Sequence, residues 1–312
     1  MTEEKQIQVF LQELSSKQPT PGGGGASAFA GALGAALGQM VANLTVGKKK
    51  YAQVEGQMQE YLLRMNQLMR EFAVLADKDE EVFAPLAQCY RLPSSTEEEC
   101  RRKAEQMEQR LLAASLVPME IMEKAINLAD DLGIRIIMLA GYDVYYEESS
   151  EFTKKMFEMN LRKAVDMAAS RSILLGFETM ETEFMNTVGK AMKYVQLMGS
   201  DYLGVYPDIG NITNAAKQYK TDVIEDLKSG SGRLLAMHLK ETVPGKFREI
   251  PYGSGHVNFE EAIREAWRLG IRRYVTEFWY TGGGDWKDEL RKANRMMTDI
   301  LGRQAKEDEH AS

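Results

Sequence analysis

Glu178, Asp208, His238 and Glu277 each stand at the end of a short run rich in Ile, Leu, Val and Tyr. One such glutamate alone would read as a helix cap or an ion-pair partner. Four residues of metal-ligand type at four successive run ends imply more. Three carboxylates and an imidazole are costly to bury together unless a cation offsets their charge. An oxygen-rich set favours Mn²⁺ or Mg²⁺, with Co²⁺ or Zn²⁺ also suited. Lys240 and Arg248 follow the run that carries His238, and both could bind an anionic substrate. Glycine-rich turns at 253–256 and 282–286, the second centred on Gly283, lie where phosphate sites usually fall in βα barrels. His256, in the first of these turns, has no evident fixed partner and reads as a turn residue.

A second candidate site lies near the start. Pro19-Thr-Pro-Gly-Gly-Gly-Gly25 opens onto a run of Ala and Gly. Gly22, Gly23 and Gly24 leave N–H groups to meet an anion at a helix N-terminus, where the helix dipole also favours negative charge. Lys48 and Lys49 add positive charge near the other end of the run. The spacing matches neither a Walker A loop nor a dinucleotide fingerprint, so a flexible hinge before a packed helix is the plainer reading.

These groups need elements to position them. Runs at 134–140, 172–178, 202–208, 233–239 and 273–278 read as buried parallel strands. Helical patterns at 151–169, 184–198, 221–227 and 259–269 lie between them. That alternation indicates βα units, whose strand ends converge on one mouth. The first half shows helical spacing only, at 3–17, 26–46, 51–76, 77–90 and 96–117. Thr96 followed by Glu99 is a capping-box pattern. The halves meet in 116–135, where the apolar spacing and Gly133 predict one helix shared by both.

Composition narrows the class. The chain has 312 residues, 44% of them hydrophobic, and a net charge of −7. Residues 1–132 carry 14 Lys+Arg against 19 Asp+Glu, and the rest carry 25 against 27. Neither half is basic, so no nucleic-acid partner is expected. Cys89 and Cys100 form neither a disulfide framework nor a zinc motif. The acidic, polar N-terminus does not read as a secretory signal, so a cytoplasmic location is expected. Residues 26–46 are long enough to span a membrane. Their Ala/Gly richness, with Gln39 and Asn43 among them, predicts a tightly packed bundle helix and no membrane partner.

Two resemblances follow from separated words in the chain. Pro19-Thr-Pro-Gly-Gly-Gly, Gly31-Ala-Leu-Gly-Ala-Ala-Leu37 and Met40-Val-Ala-Asn-Leu-Thr-Val-Gly-Lys-Lys-Lys-Tyr51 resemble the formiminotransferase-cyclodeaminase/methenyltetrahydrofolate cyclohydrolase family. That likeness implies an all-helical, dimer-forming fold with folate near the glycine loop. It covers only the first part of that family's domain. Leu139-Ala-Gly-Tyr-Asp-Val-Tyr-Tyr-Glu147, Val205-Tyr-Pro-Asp-Ile-Gly-Asn211, Ala236-Met-His-Leu-Lys-Glu-Thr242 and Phe247-Arg-Glu-Ile-Pro-Tyr-Gly-Ser-Gly255 resemble the L-ribulose-5-phosphate (L-xylulose-5-phosphate) 3-epimerases. These are xylose-isomerase-like barrels of carbohydrate metabolism, ascorbate degradation included. The resemblance implies that Glu178, Asp208, His238 and Glu277 hold a divalent metal. It further implies that Glu178 and Glu277 are the acid/base pair and that Arg248 contacts substrate.

The expected fold is α/β, a helical N-terminal segment followed by a partial, five-stranded TIM-barrel-type parallel βα array. The expected boundary gives a helical domain at 1–118 and a barrel domain at 119–312. The expected activity is metal-dependent 3-epimerisation of a ketopentose 5-phosphate, a small-molecule sugar phosphate, through an enediolate. It should be weakened by the absence of the family's first three strands. The bare edges this leaves predict a homo-oligomer. The alternatives are a folate-binding helical module and a joined product without activity.

Overall fold

The computed structural model describes residues 7–144, 148–280, 282 and 284–311. The chain forms two compact units, Met1–Ile134 and Arg135–Ser312.

The first unit is helical: α1 (Ile7–Leu14), α2 (Gly23–Thr45), α3 (Glu55–Cys89) and α4 (Glu97–Asp131), with a short 3₁₀ turn at Lys49–Val54. Small residues explain how α2 packs. Ala28, Ala35 and Ala42 recur every seventh position and are fully buried. Ala28 and Ala35 meet Met65, Leu68, Phe72 and Leu75 of α3 and Val117, Ile121 and Leu128 of α4. At Gly31 a Cβ would stand 2.6 Å from the Phe72 ring, so only glycine admits that ring. The opposite face of α2, with Leu33, Leu37, Met40, Val41 and Leu44, is exposed.

The expected break near residue 76 does not occur, because nothing at 76–78 interrupts the helical hydrogen bonds and α3 runs on through Pro85. Likewise the 96–117 helix and the seam helix are one. Thr96 and Glu99 form the expected capping box, and α4 continues through Pro118. Burial of Val117 and Ile121 on either side holds α4 together across that proline, whose missing N–H costs on the order of 3 kcal/mol. The stop is the one expected. Gly133 is left-handed with φ 72°. Its N–H bonds Asp130 O, while the Ile134 N–H reaches back to Ala129 O at 2.8 Å.

The second unit contains β1 (Ile136–Ala140), α5 (Glu151–Ala169), β2 (Leu174–Glu178), α6 (Val188–Met198), β3 (Leu203–Tyr206), α7 (Ile209–Tyr219), α8 (Val223–Ser229), β4 (Met237–Leu239), α9 (Phe259–Arg268), β5 (Tyr274–Thr276) and α10 (Trp286–Ala311). β1, β2 and β3 pair in parallel and in chain order, with Ala140 opposite Glu178 and Glu178 opposite Tyr206. β4 and β5 form a second parallel pair. Between β3 and β4 only two isolated bridges remain, Val205 with Leu234 and Asp208 with His238. All five strands are therefore parallel and sequential. Within this unit, among the described residues, β1 and β5 each keep one unpaired edge. Helices α7 and α10 were not anticipated, although Ile209, Ile212, Ala216 and Tyr219 of α7 keep helical spacing; Asn211, Thr213 and Asn214 are buried on α7 beside them.

Candidate metal centre

Parallel register brings the four residues to one end of the strands. Glu178 closes β2, Asp208 follows β3, His238 lies within β4, and Glu277 follows β5. One ligand atom from each lies within 4.8 Å of every other. His238 Nδ1 stands 2.9 Å from Glu178 Oε1, 3.3 Å from Glu277 Oε2 and 3.9 Å from Asp208 Oδ2.

Each group is fixed by its element. Asp208 is the N-cap of α7, where Oδ1 accepts the Asn211 N–H at 2.8 Å. That contact aims Oδ2 at the cluster. Thr179 Oγ1 accepts the Asp208 N–H at 2.9 Å. Tyr252 OH donates to Leu239 O and, at 3.0 Å, to Glu277 O, which ties the ends of β4 and β5 together. Trp279 Nε1 donates to Glu277 Oε1 at 2.8 Å.

Asp208 Oδ2 and Glu277 Oε2 are buried and accept no hydrogen bond of ordinary geometry. Lys240 Nζ lies only within ion-pair range of them, at 3.0 and 3.5 Å. Two orphaned carboxylate oxygens beside an imidazole nitrogen are what a divalent cation takes as ligands, so the residues fit such an ion. Electrostatics point the same way. Burial pushes Asp208 up, only partly offset by the Lys240 charge. Burial also favours a neutral Glu277, but the His238 imidazole at 3.3 Å and the Lys240 charge outweigh it and hold this carboxyl low. For His238 burial acts downward, while Glu178 and Glu277 raise the imidazole to about 9. The protons that Asp208 and His238 hold so firmly are ones a cation would displace.

Arg248 lies apart from the cluster. Its Nη2 reaches Glu181 Oε1 at 2.7 Å and its guanidinium lies 5.2 Å from the Trp279 ring centre. Tyr142 OH donates to the other Glu181 oxygen at 2.8 Å. Lys240 is 4% exposed, so it faces the carboxylates and not an open mouth. Gly283 falls outside the described residues. His256 does have a fixed partner: its Nε2 is 3.0 Å from Thr242 Oγ1. Glu181, Tyr252 and Trp279 escaped the sequence reading; Glu181 and Trp279 stand just after strand runs, while Tyr252 lies in the loop between β4 and α9.

In the helical unit the glycine loop meets a different partner from the one expected. The Gly25 N–H donates to Asp79 Oδ2 at 2.8 Å, and a Cβ on Gly24 would collide with the same carboxylate. The chain's own anion thus occupies this helix N-terminus. Gly22 and Gly23 open α2, whereas Lys48 and Lys49 follow its C-terminus. About 1.5 Å of rise per residue separates them by roughly 35 Å, so they do not share one small ligand.

Residues 116–300 match the family model of the xylose isomerase-like TIM barrel, and residues 6–134 that of formiminotransferase-cyclodeaminase. The matches overlap on the second half of α4. L-ribulose-5-phosphate 3-epimerase UlaE of Escherichia coli is 38% identical over 178 residues, covering 56% of this chain and 61% of that protein. The chain thus spans about three-fifths of the length of the curated relatives it matches. A solved L-ribulose 3-epimerase superposes with a TM-score of 0.52 at 17% identity, over 64% of this chain and 72% of that one. The IOLI protein with a bound zinc atom gives 0.51 at 16% identity, over 61% and 71%. At these identities the two structures show a common fold.

Proposed function

This chain belongs to the xylose isomerase-like TIM barrel family through residues 116–300, and from that membership we propose that it is a metal-dependent sugar-phosphate 3-epimerase. The substrate pair is L-ribulose 5-phosphate and L-xylulose 5-phosphate. The observation that carries the reading is the convergence of Glu178, Asp208, His238 and Glu277 within 4.8 Å. The 38% identity to an L-ribulose-5-phosphate 3-epimerase supports the substrate class.

Epimerisation at C3 needs a proton taken from one face of the carbon and another returned to the opposite face. Glu178 and Glu277 come from strands on the two separate sheets and meet at His238 Nδ1. Either can serve as base while the other serves as acid. A bound divalent cation supplies positive charge against the enediolate. Arg248, braced by Glu181 and Trp279, takes the phosphate end. The protein works in the cytoplasm as a homo-oligomer that covers the edges of β1 and β5.

The test is turnover of L-ribulose 5-phosphate in D₂O with added Mn²⁺. The expected product is L-xylulose 5-phosphate carrying deuterium at C3. Glu178→Gln and Glu277→Gln should each lower kcat at least ~10²-fold, the usual worth of a general acid or base. Metal-loaded protein that places no deuterium at C3 would refute the activity.

A further inference from the structure

Lys240 is one of the few buried cations of the second unit and stands two residues after His238, on the same side of the strand direction. It is 4% exposed, and its ammonium contacts Asp208 at 3.0 Å and Glu277 at 3.5 Å through Oδ2 and Oε2. These are the two carboxylate oxygens that accept no hydrogen bond. Burying an ammonium carries a desolvation penalty comparable to what good ion-pair geometry can return, so its charge is tolerated here against the carboxylates it faces. We infer that Lys240 sets the valence of the ion this site accepts, by cancelling one of three carboxylate charges so that the residue is matched to a divalent cation. This inference rests on the metal-site reading above.

The charge count carries the argument. Glu178, Asp208 and Glu277 are ionised when they act as ligands, and His238 is then neutral because its Nδ1 must give up its proton to bind a metal. Three negative charges and the Lys240 ammonium leave two. A divalent ion brings the cluster to zero, whereas a trivalent ion leaves one positive charge buried. Without Lys240 the count is three, and the match moves to a trivalent ion. The ammonium also holds a carboxylate from the β1–β3 sheet next to one from the β4–β5 pair. This spaces the ligands before any metal arrives and makes the metal-free cluster tolerable.

The experiment compares Mn²⁺ and Tb³⁺ affinities of the full chain, purified free of metal, in wild type, Lys240→Met, Lys240→Gln and Lys240→Arg. Calorimetry reads Mn²⁺. Tb³⁺ luminescence is sensitised by Tyr206, whose ring lies 5.0 Å from His238, and by Trp279, bonded to Glu277. Both neutral variants should raise the Tb³⁺:Mn²⁺ affinity ratio by about tenfold or more, because one unit of nearby charge acts more strongly on the higher valence. The arginine variant should keep the wild-type ratio. Glutamine keeps a hydrogen-bond donor at this position, so it carries the test should the methionine variant fail to fold. A ratio unchanged in folded Lys240→Gln, or shifted equally in Lys240→Arg, overturns the role of Lys240 alone. A wild type that binds neither ion overturns the metal reading and this inference together.

Discussion

A single carboxylate, Asp79, decides how the glycine loop behaves. Burial lifts its pKa above the ordinary 3.8, and the Gly25 N–H only partly offsets this. A folded-state pKa above the unfolded one means that the folded chain binds the proton more tightly. Stability from this group is present below 3.8 and is lost as pH rises through the raised folded value. The urea midpoint of the helical signal should therefore fall as pH rises over that window, and Asp79→Asn should flatten the slope. An identical slope in the variant would remove Asp79 as its source. The four cluster residues were legible because metal-ligand types at strand ends are rare. The partner of the glycine loop was not, since Asp79 lies 54 positions from Gly25 and only packing unites them. The same blindness hid Glu181 from Arg248, 67 positions away.

At the scale of elements, periodicity located the five strands and most helices, while α7 and α10 went unread. The 96–117 helix and the seam helix read as two, but buried neighbours carry α4 through Pro118 to its end at Asp131. Helix α7 buries polar residues beside its apolar ones because these serve the strand ends: Asn211 Nδ2 donates to Thr179 O, and Asn214 Oδ1 accepts the Gly245 N–H. A helix that exists to hold loops in place uses polar residues where a core helix uses leucine. Strand β4 is only three residues long, and before it Leu234 makes a lone bridge to Val205 of β3 instead of extending the β5 pairing.

At the scale of the molecule, two cores are built from two kinds of sequence, with a shared helical word where the family matches overlap. Met138 of β1 and Val275 of β5 are 40% and 46% exposed on strands that lack a second neighbour within their unit. Unpaired apolar edges associate in water, so light scattering behind size exclusion should report a species larger than 35.2 kDa. A monomer persisting at high concentration would contradict that.

The gap between β3 and β4 has a mechanical side. Glu178 and Asp208 follow strands of one sheet, His238 and Glu277 belong to the other, and the sheets meet through a handful of backbone hydrogen bonds. These include Leu235 N–H to Val205 O at 2.9 Å and His238 N–H to Pro207 O at 2.9 Å. An ion held by all four residues is then a rivet across a seam. At a thousand times its Kd, a ligand restrains such an opening by about 4 kcal/mol, more than these two bonds and the Val205 N–H to Arg233 O bond together at about 1 kcal/mol each. Hydrogen exchange should show it: Mn²⁺ should slow the amides of Leu235 and His238 by orders of magnitude, while those of Ile121 and Leu128 in α4 stay as they were. Equal protection of the seam with and without the ion would mean that the two sheets already move as one.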